Sequence, residues 1–256
     1  MSDRIVITGV CNGIGEKLAL SLLNYGYEVI GIDCMEKNSN KSIHYFKCDV
    51  TNSESVERTF KNIQKEYGVI TGLVNIVGGT LHSKNIEDIN DQDWEETINF
   101  NLKTPFNCIR SALPMLKKSN RGRIINISAV AGRTYTFFGG VDFTAAKTGI
   151  IGLTRQCAFE LAKYNITANC VAPGLTMTNR VVDLWEGYTE EKRKNILKQI
   201  PLNRPSSVDE QVNVIKFLCS EESSYITGTV IDVNGGMFVG LSLIHISEPT
   251  RLALIS

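Results

Sequence analysis

The chain has 256 residues, 43% hydrophobic and 21% charged, which suits one α/β domain with a full core and needs no disulfide or metal staple. Its 27 basic and 27 acidic side chains cancel, so nothing points to nucleic acid or an anionic membrane as a partner. Seven cysteines (Cys11, Cys34, Cys48, Cys108, Cys157, Cys170, Cys219) form no C-x-x-C pair and no zinc spacing, which predicts buried thiols, no metal site and a reducing, cytoplasmic setting.

Arg4–Thr8 reads as a first strand. It follows Met-Ser-Asp directly, without a signal-peptide pattern, and no apolar run is long enough to span a bilayer. Then come a helix over Ile14–Tyr25, strands over Glu28–Ile32 and Ile43–Lys47, and a polar-faced helix over Ser53–Tyr67. Leu73–Val77 is a fourth strand, and Asp93–Lys117 one long helix or two joined ones. Arg123–Ile127, Thr167–Val171 and Thr229–Val233 complete the strands, with helices over Phe143–Tyr164 and Val208–Cys219. Val- and Ile-rich strands separated by helices predict parallel βαβ units: a single Rossmann-type doubly wound α/β domain over residues 1–240. Leu241–Ser256 follows the completed pattern. Its Leu241–Arg251 portion resembles the translation of a sequencing-library adapter, so the segment is expected to be a non-native tail; the alternative is an arm that docks on a neighbour.

The first strand runs into Thr8-Gly9-Val10-Cys11-Asn12-Gly13-Ile14-Gly15. Glycines at such a strand-to-helix turn let a diphosphate approach the backbone, and the helix start offers free N–H groups and a positive dipole end. The plain alternative is a tight turn without a ligand. Asp33 ends the second strand, where a carboxylate can accept both ribose hydroxyls and repel a 2′-phosphate, which favours NAD over NADP. Its alternative is a turn cap. Asp49-Val50 can hold the adenine edge, or Asp49 can start the next helix. Cys11, beside a helix start, can have a lowered thiol pKa or simply pack.

The spacing T-G-x-x-x-G-x-G, then Asp33, Asp49, Asn75, Asn101, Lys147, Pro173-Gly174 and the closing Val233-Asn234-Gly235-Gly236 resembles the short-chain dehydrogenase/reductase family from about Arg4 to Gly236. The resemblance implies a seven-stranded parallel sheet, a bound nicotinamide dinucleotide, a small-molecule substrate, and a homotetramer or homodimer packed through the long helices. It implies that Asn75 and Gly78 support the cofactor, with Ile76 where a second asparagine is usual. It further implies that Asn101 fixes a water in the proton path, and that Pro173, Gly174 and Thr178 hold the carboxamide.

The family's usual serine, tyrosine and lysine are incomplete here. Lys147 is kept, but Phe143 stands at the tyrosine position and Ala129 at the serine position. Ser128 lies one residue too early and should face elsewhere on a strand. Both changes remove only a hydroxyl, so proton relay to an alcohol or ketone oxygen should be strongly impaired while cofactor binding survives. Three explanations stay open: a deliberately inactivated variant, a natural member with different chemistry such as iminium reduction or a non-redox step, or a non-catalytic cofactor-binding protein. Substitute proton donors are Thr134, Tyr135, Asp142 and His82. The long Leu175–Pro205 stretch, with Met177, Trp185 and Tyr188, reads as a lid. With Tyr135, Phe137 and Phe138 it predicts an aromatic, largely apolar pocket for a small or medium, weakly polar substrate.

Overall fold

The computed structural model describes residues 3–35 and 41–240; the tail expected over Leu241–Ser256 lies outside the described residues. Seven strands form one parallel sheet: β1 Arg4–Thr8, β2 Glu28–Asp33, β3 His44–Lys47, β4 Gly72–Asn75, β5 Arg123–Ile127, β6 Thr167–Pro173 and β7 Val230–Val233, in the order β3-β2-β1-β4-β5-β6-β7. Alternation along each strand feeds two cores. Ile5, Ile7, Val29 and Val74 face α1 (Gly13–Asn24) and α8 (Val208–Cys219). Val6, Ile30, Leu73 and Ile124 face α2 (Ser53–Tyr67) and α4 (Thr104–Ser119). Both faces are therefore covered, as uniformly apolar strands require.

The strand order reverses between β1 and β4, and the loops leaving those two strands diverge to open a crevice at their carboxyl ends. Thr8 pins both loops: its Oγ1 accepts the amides of Ile76 at 3.1 Å and Val77 at 3.4 Å. Those amides leave the ladder, so β4 ends at Asn75 and not at Val77 as its apolar run suggests.

The expected Asp93–Lys117 helix is two, α3 (Asp91–Ile98) and α4, joined by a π-helical turn over Asn99–Lys103 in which the Thr104 amide reaches back to the Asn99 carbonyl. Such a bulge re-aims side chains, and here it carries Asn101 into the interior. Helix α5 (Val141–Leu161) starts earlier than Phe143 and ends in a 3₁₀ turn over Ala162–Tyr164. The lid stretch contains two short helices, α6 (Asn179–Glu186) and α7 (Glu190–Leu197), each shorter than the windows in which helical periodicity is legible. No described helix is long and apolar enough to cross a membrane.

Candidate active site: two joined cavities at the sheet's switch point

The glycine loop is built to close on itself. Gly9 turns at φ +75 and Gly13 at φ +56, and a Cβ on Gly15 would lie 1.9 Å from the Gly9 carbonyl oxygen. Gly15 thus packs the loop against its helix; expected as a cofactor-contacting residue, it is absent from the cleft wall. The side chain of Asn12 does not cap α1, so the first-turn amides remain available to an anion. Asp33 fixes the loop from the side: Oδ2 accepts the Cys11 amide at 2.9 Å and Oδ1 the Met35 amide at 3.1 Å. Each oxygen keeps lone-pair capacity for a ribose hydroxyl. Cys11 does not line the cleft, and burial, followed by the Asp33 carboxylate, pushes its thiol above the usual pKa, against the lowering expected from the helix start.

A cleft of about 700 Å³ runs from Asp33 and Asp49 past Gly9, Asn12, Gly13 and Ile14 to Lys147 and Phe143. Asp49 and Val50 line it. Asp49 Oδ1 accepts the Thr51 amide at 2.9 Å, while the helix-start role falls to Asn52, which caps α2 through Ser55. A second cavity of about 510 Å³ continues beyond, walled by Val130, Phe138, Pro173, Gly174, Leu175, Leu184, Trp185 and Tyr188. The two share Ile14, Gly78, Gly79, Ala129, Phe143, Thr178 and Arg180. Phe143 and Ala129 therefore stand at the junction, and neither presents a hydroxyl.

Lys147 is buried, and its Nζ donates to the Ile127 carbonyl at 3.1 Å and lies 5.7 Å from the Phe143 ring centre. Burial lowers its pKa from 10.5 to about 8. The folded value lies below the unfolded one, so the charged form costs folding free energy at pH 7, and this cost fades as pH rises from 8 to 10.5. A depression of that size is worth about 3 kcal/mol. Lys147→Met forfeits the bond to Ile127, so in urea unfolding it is expected to gain a net ~1–2 kcal/mol over the parent at pH 7. That gain should shrink at pH 9.5; a gain that grows with pH contradicts this reading.

Asn101 does not face either cavity. Its Oδ1 accepts the Gly79 amide at 2.8 Å, and its Nδ2 donates to the carbonyls of Gly79 at 3.0 Å and Thr97 at 3.1 Å. It fastens the loop after β4. Asn75, expected to support the cofactor, is a core residue whose Nδ2 donates to Asn126 Oδ1 at 2.8 Å, and Asn126 in turn donates to Thr154. Ser128 touches the cleft, but its hydroxyl donates to the Lys147 carbonyl at 2.7 Å and is thereby committed to α5.

The substitute donors separate. Thr134 and Tyr135 line a different hollow with Met237 and Phe238. His82 lines the second cavity, with Nε2 3.2 Å from the buried Asp142 carboxylate and 3.9 Å from Asp93. Of the lid and loop side chains expected at the pocket, Trp185, Tyr188 and Phe138 reach this cavity; Met177, Tyr135 and Phe137 do not. Gly79 and Arg180 escaped the sequence reading. Gly78 was carried by the family resemblance, but nothing in the sequence extended it to Gly79, and an arginine two residues past Thr178 carries no pattern of its own.

The family model described as enoyl-(acyl carrier protein) reductase matches residues 9–238. The chain belongs to the short-chain dehydrogenase/reductase family. It is 34% identical over 250 residues to the 3-oxoacyl-[acyl-carrier-protein] reductase FabG of Staphylococcus aureus (strain N315), covering 93% of this chain and 99% of that one. The FabG of Thermotoga maritima is 34% identical over 244 residues, covering 91% and 97%. Among solved structures, the ligand-free aldohexose dehydrogenase AldT of Thermoplasma acidophilum superposes with a TM-score of 0.84 at 30% identity, covering 94% and 97%. A tyrosine-to-phenylalanine variant of ElxO with NADPH bound superposes at 0.85 and 28% identity, covering 93% and 99%. Members of this family bind a nicotinamide cofactor, and the glycine turn, the uncapped α1 and the Asp33 carboxylate fit one here.

Proposed function

We propose that the chain uses NAD(H) to move a hydride to or from a small or medium carbonyl, alcohol or imine substrate, without the family's hydroxyl relay. The observation that carries this reading is the meeting of two cavities at Phe143 and Ala129, one lined by the diphosphate loop and the other by apolar side chains. When bound, the nicotinamide supplies or accepts the hydride. The amides of Gly13 and Ile14 hold the diphosphate, Asp33 the adenosine ribose, Asp49 and Val50 the adenine edge. Gly78 leaves room beside Lys147, which holds the second ribose, and Pro173, Gly174 and Thr178 hold the carboxamide. Phe143 and Ala129 shape the junction but neither can pass a proton, so the proton that accompanies the hydride at a carbonyl or alcohol is exchanged with solvent, while an iminium substrate already carries its own. The missing relay marks either an engineered, inactivated form of such an oxidoreductase or an atypical mechanism; a non-catalytic NAD-binding protein or a non-redox enzyme on the same fold is the second reading, favoured by those two missing hydroxyls.

The choice of NAD rests on Asp33, whose carboxylate would face a 2′-phosphate with like charge. NADH is expected to bind at least about ten-fold more tightly than NADPH in a fluorescence titration, and Asp33→Ser to bring the two within about three-fold. Tighter binding of NADPH by the parent protein overturns the preference. A screen of carbonyls, imines and alcohols for hydride transfer then separates the enzyme from the binding protein. Exposed Phe106 on α4 and Phe159 on α5 support a homodimer or homotetramer formed through those helices, and a family enzyme with seven unbridged cysteines suits the cytoplasm.

A further inference from the structure

The second cavity is apolar along most of its wall, and among the described residues Arg180 is its one side chain with a permanent charge. Arg180 sits in the first turn of α6 and lines both cavities. Its Nη2 donates to the Thr80 carbonyl, and its Nη1 occupies the space beside Gly79, 3.0 Å from where a Cβ would stand. On the other side of the same turn, a Cβ on Gly78 would meet Lys147 Nζ at 3.0 Å. Two consecutive glycines, both at φ +151, thus separate two cations where the loop after β4 reaches the reacting centre.

The two cations differ in what they face. Lys147 is buried against the Ile127 carbonyl and lines only the cofactor cleft. The Arg180 guanidinium makes a single hydrogen bond, and among the described residues no carboxylate pairs with it; Arg4, Arg123, Arg133 and Arg204 each hold an acidic partner. A planar guanidinium with open N–H groups matches a carboxylate bidentately.

The geometry points to a substrate that carries a carboxylate close to its reducible bond, with Arg180 as the residue that binds it. The inference rests on the hydride-transfer reading above and narrows its substrate to an oxo, imino or hydroxy acid. The dinucleotide's diphosphate is the less suited anion. Its cradle is the Gly9–Gly13 turn, which meets the lid at Thr178, with 3.5 Å from a Gly13 Cβ to Thr178 Cγ2. The guanidinium lies further on, at Gly79 and Thr80. An anchored carboxylate also compensates for the lost hydroxyls in one respect: it fixes the orientation of the acceptor without touching the reacting oxygen or nitrogen.

Hexanoate and hexanamide, alike in shape and different in charge, test the assignment on the full protein, with and without NADH, by calorimetry and by the fluorescence of Trp185 in the cavity wall. Hexanoate is expected to bind the parent protein and to lose at least about ten-fold in affinity in Arg180→Gln, with Arg180→Lys between the two. Hexanamide should bind equally weakly to all three, and NADH affinity should change by less than about two-fold. Equal hexanoate binding in Arg180→Gln overturns the proposal. So does a parallel loss of ADP-ribose and NADH affinity, which would make the guanidinium a diphosphate ligand. Absence of NADH binding to the parent protein overturns the reading beneath it; hexanoate bound without NADH and lost in Arg180→Gln still supports the carboxylate assignment, and no hexanoate binding to the parent protein overturns it.

Discussion

Phe143→Tyr combined with Ala129→Ser is expected to raise kcat/KM for carbonyl reduction by about 10²–10⁴-fold, the usual contribution of a positioned acid–base group. The site is otherwise ready for the pair. Both positions stand at the cavity junction, and the restored phenol would occupy a wall that Lys147 already backs, its Nζ 5.7 Å from the present ring centre. A phenol's ordinary pKa is about 10, and a nearby ammonium favours the phenolate. The serine hydroxyl would add a donor to the reacting oxygen, an interaction worth about 10²–10³-fold where it has been removed elsewhere. Groups of this kind act as a unit, so each single substitution should yield much less than the pair. Steady-state rates on a panel of ketones and aldehydes measure the gain. No gain in the double variant means that the chain performs chemistry for which the hydroxyls are irrelevant.

Gly15→Ala is expected to abolish cofactor binding, with at least about a hundred-fold loss of NADH affinity in calorimetry. The added carbon would lie 1.9 Å from a backbone oxygen, that of Gly9, so no side-chain rotation relieves it. The loop must move, and with it the Cys11 amide held by Asp33 and the first-turn amides of α1. Overpacking of this kind costs roughly 1–3 kcal/mol of stability as well. Gly152→Ala is the control. It sits inside α5 with nothing within 4 Å of its added carbon, so NADH affinity should be unchanged and stability equal or higher by up to ~1 kcal/mol. Normal NADH binding by Gly15→Ala would remove the loop from the cofactor site.

The sheet was legible because strands such as β1, β2 and β5 are short, apolar and rich in β-branched residues, and the alternating helices leave few other topologies. The tight turn from Thr8 to Gly15 and the place of Asp33 beside it were legible because glycines at that spacing between a strand and a helix answer to one backbone geometry. What escaped depends on long-range contacts. Asn75 is spaced like a site residue, yet its partners are Asn126 and, through it, Thr154, both far along the chain. Asn101 owes its direction to a π turn that no periodicity announces, and it grips Gly79. Ser128 is turned away by a bond to the backbone of α5, which residue alternation alone predicted only in part. His82 and Asp142, named separately as proton donors, turn out to be neighbours only once α3 and α5 bring their loops together.

A crystal structure of the chain with NADH measures the central claim directly. The diphosphate is expected on the Gly9–Gly13 turn, the adenosine ribose on Asp33, and the nicotinamide where Ala129, Phe143 and Gly78 meet, open to the cavity under Trp185. A nicotinamide ring outside that junction, or a dinucleotide bound away from the turn after β1, contradicts it.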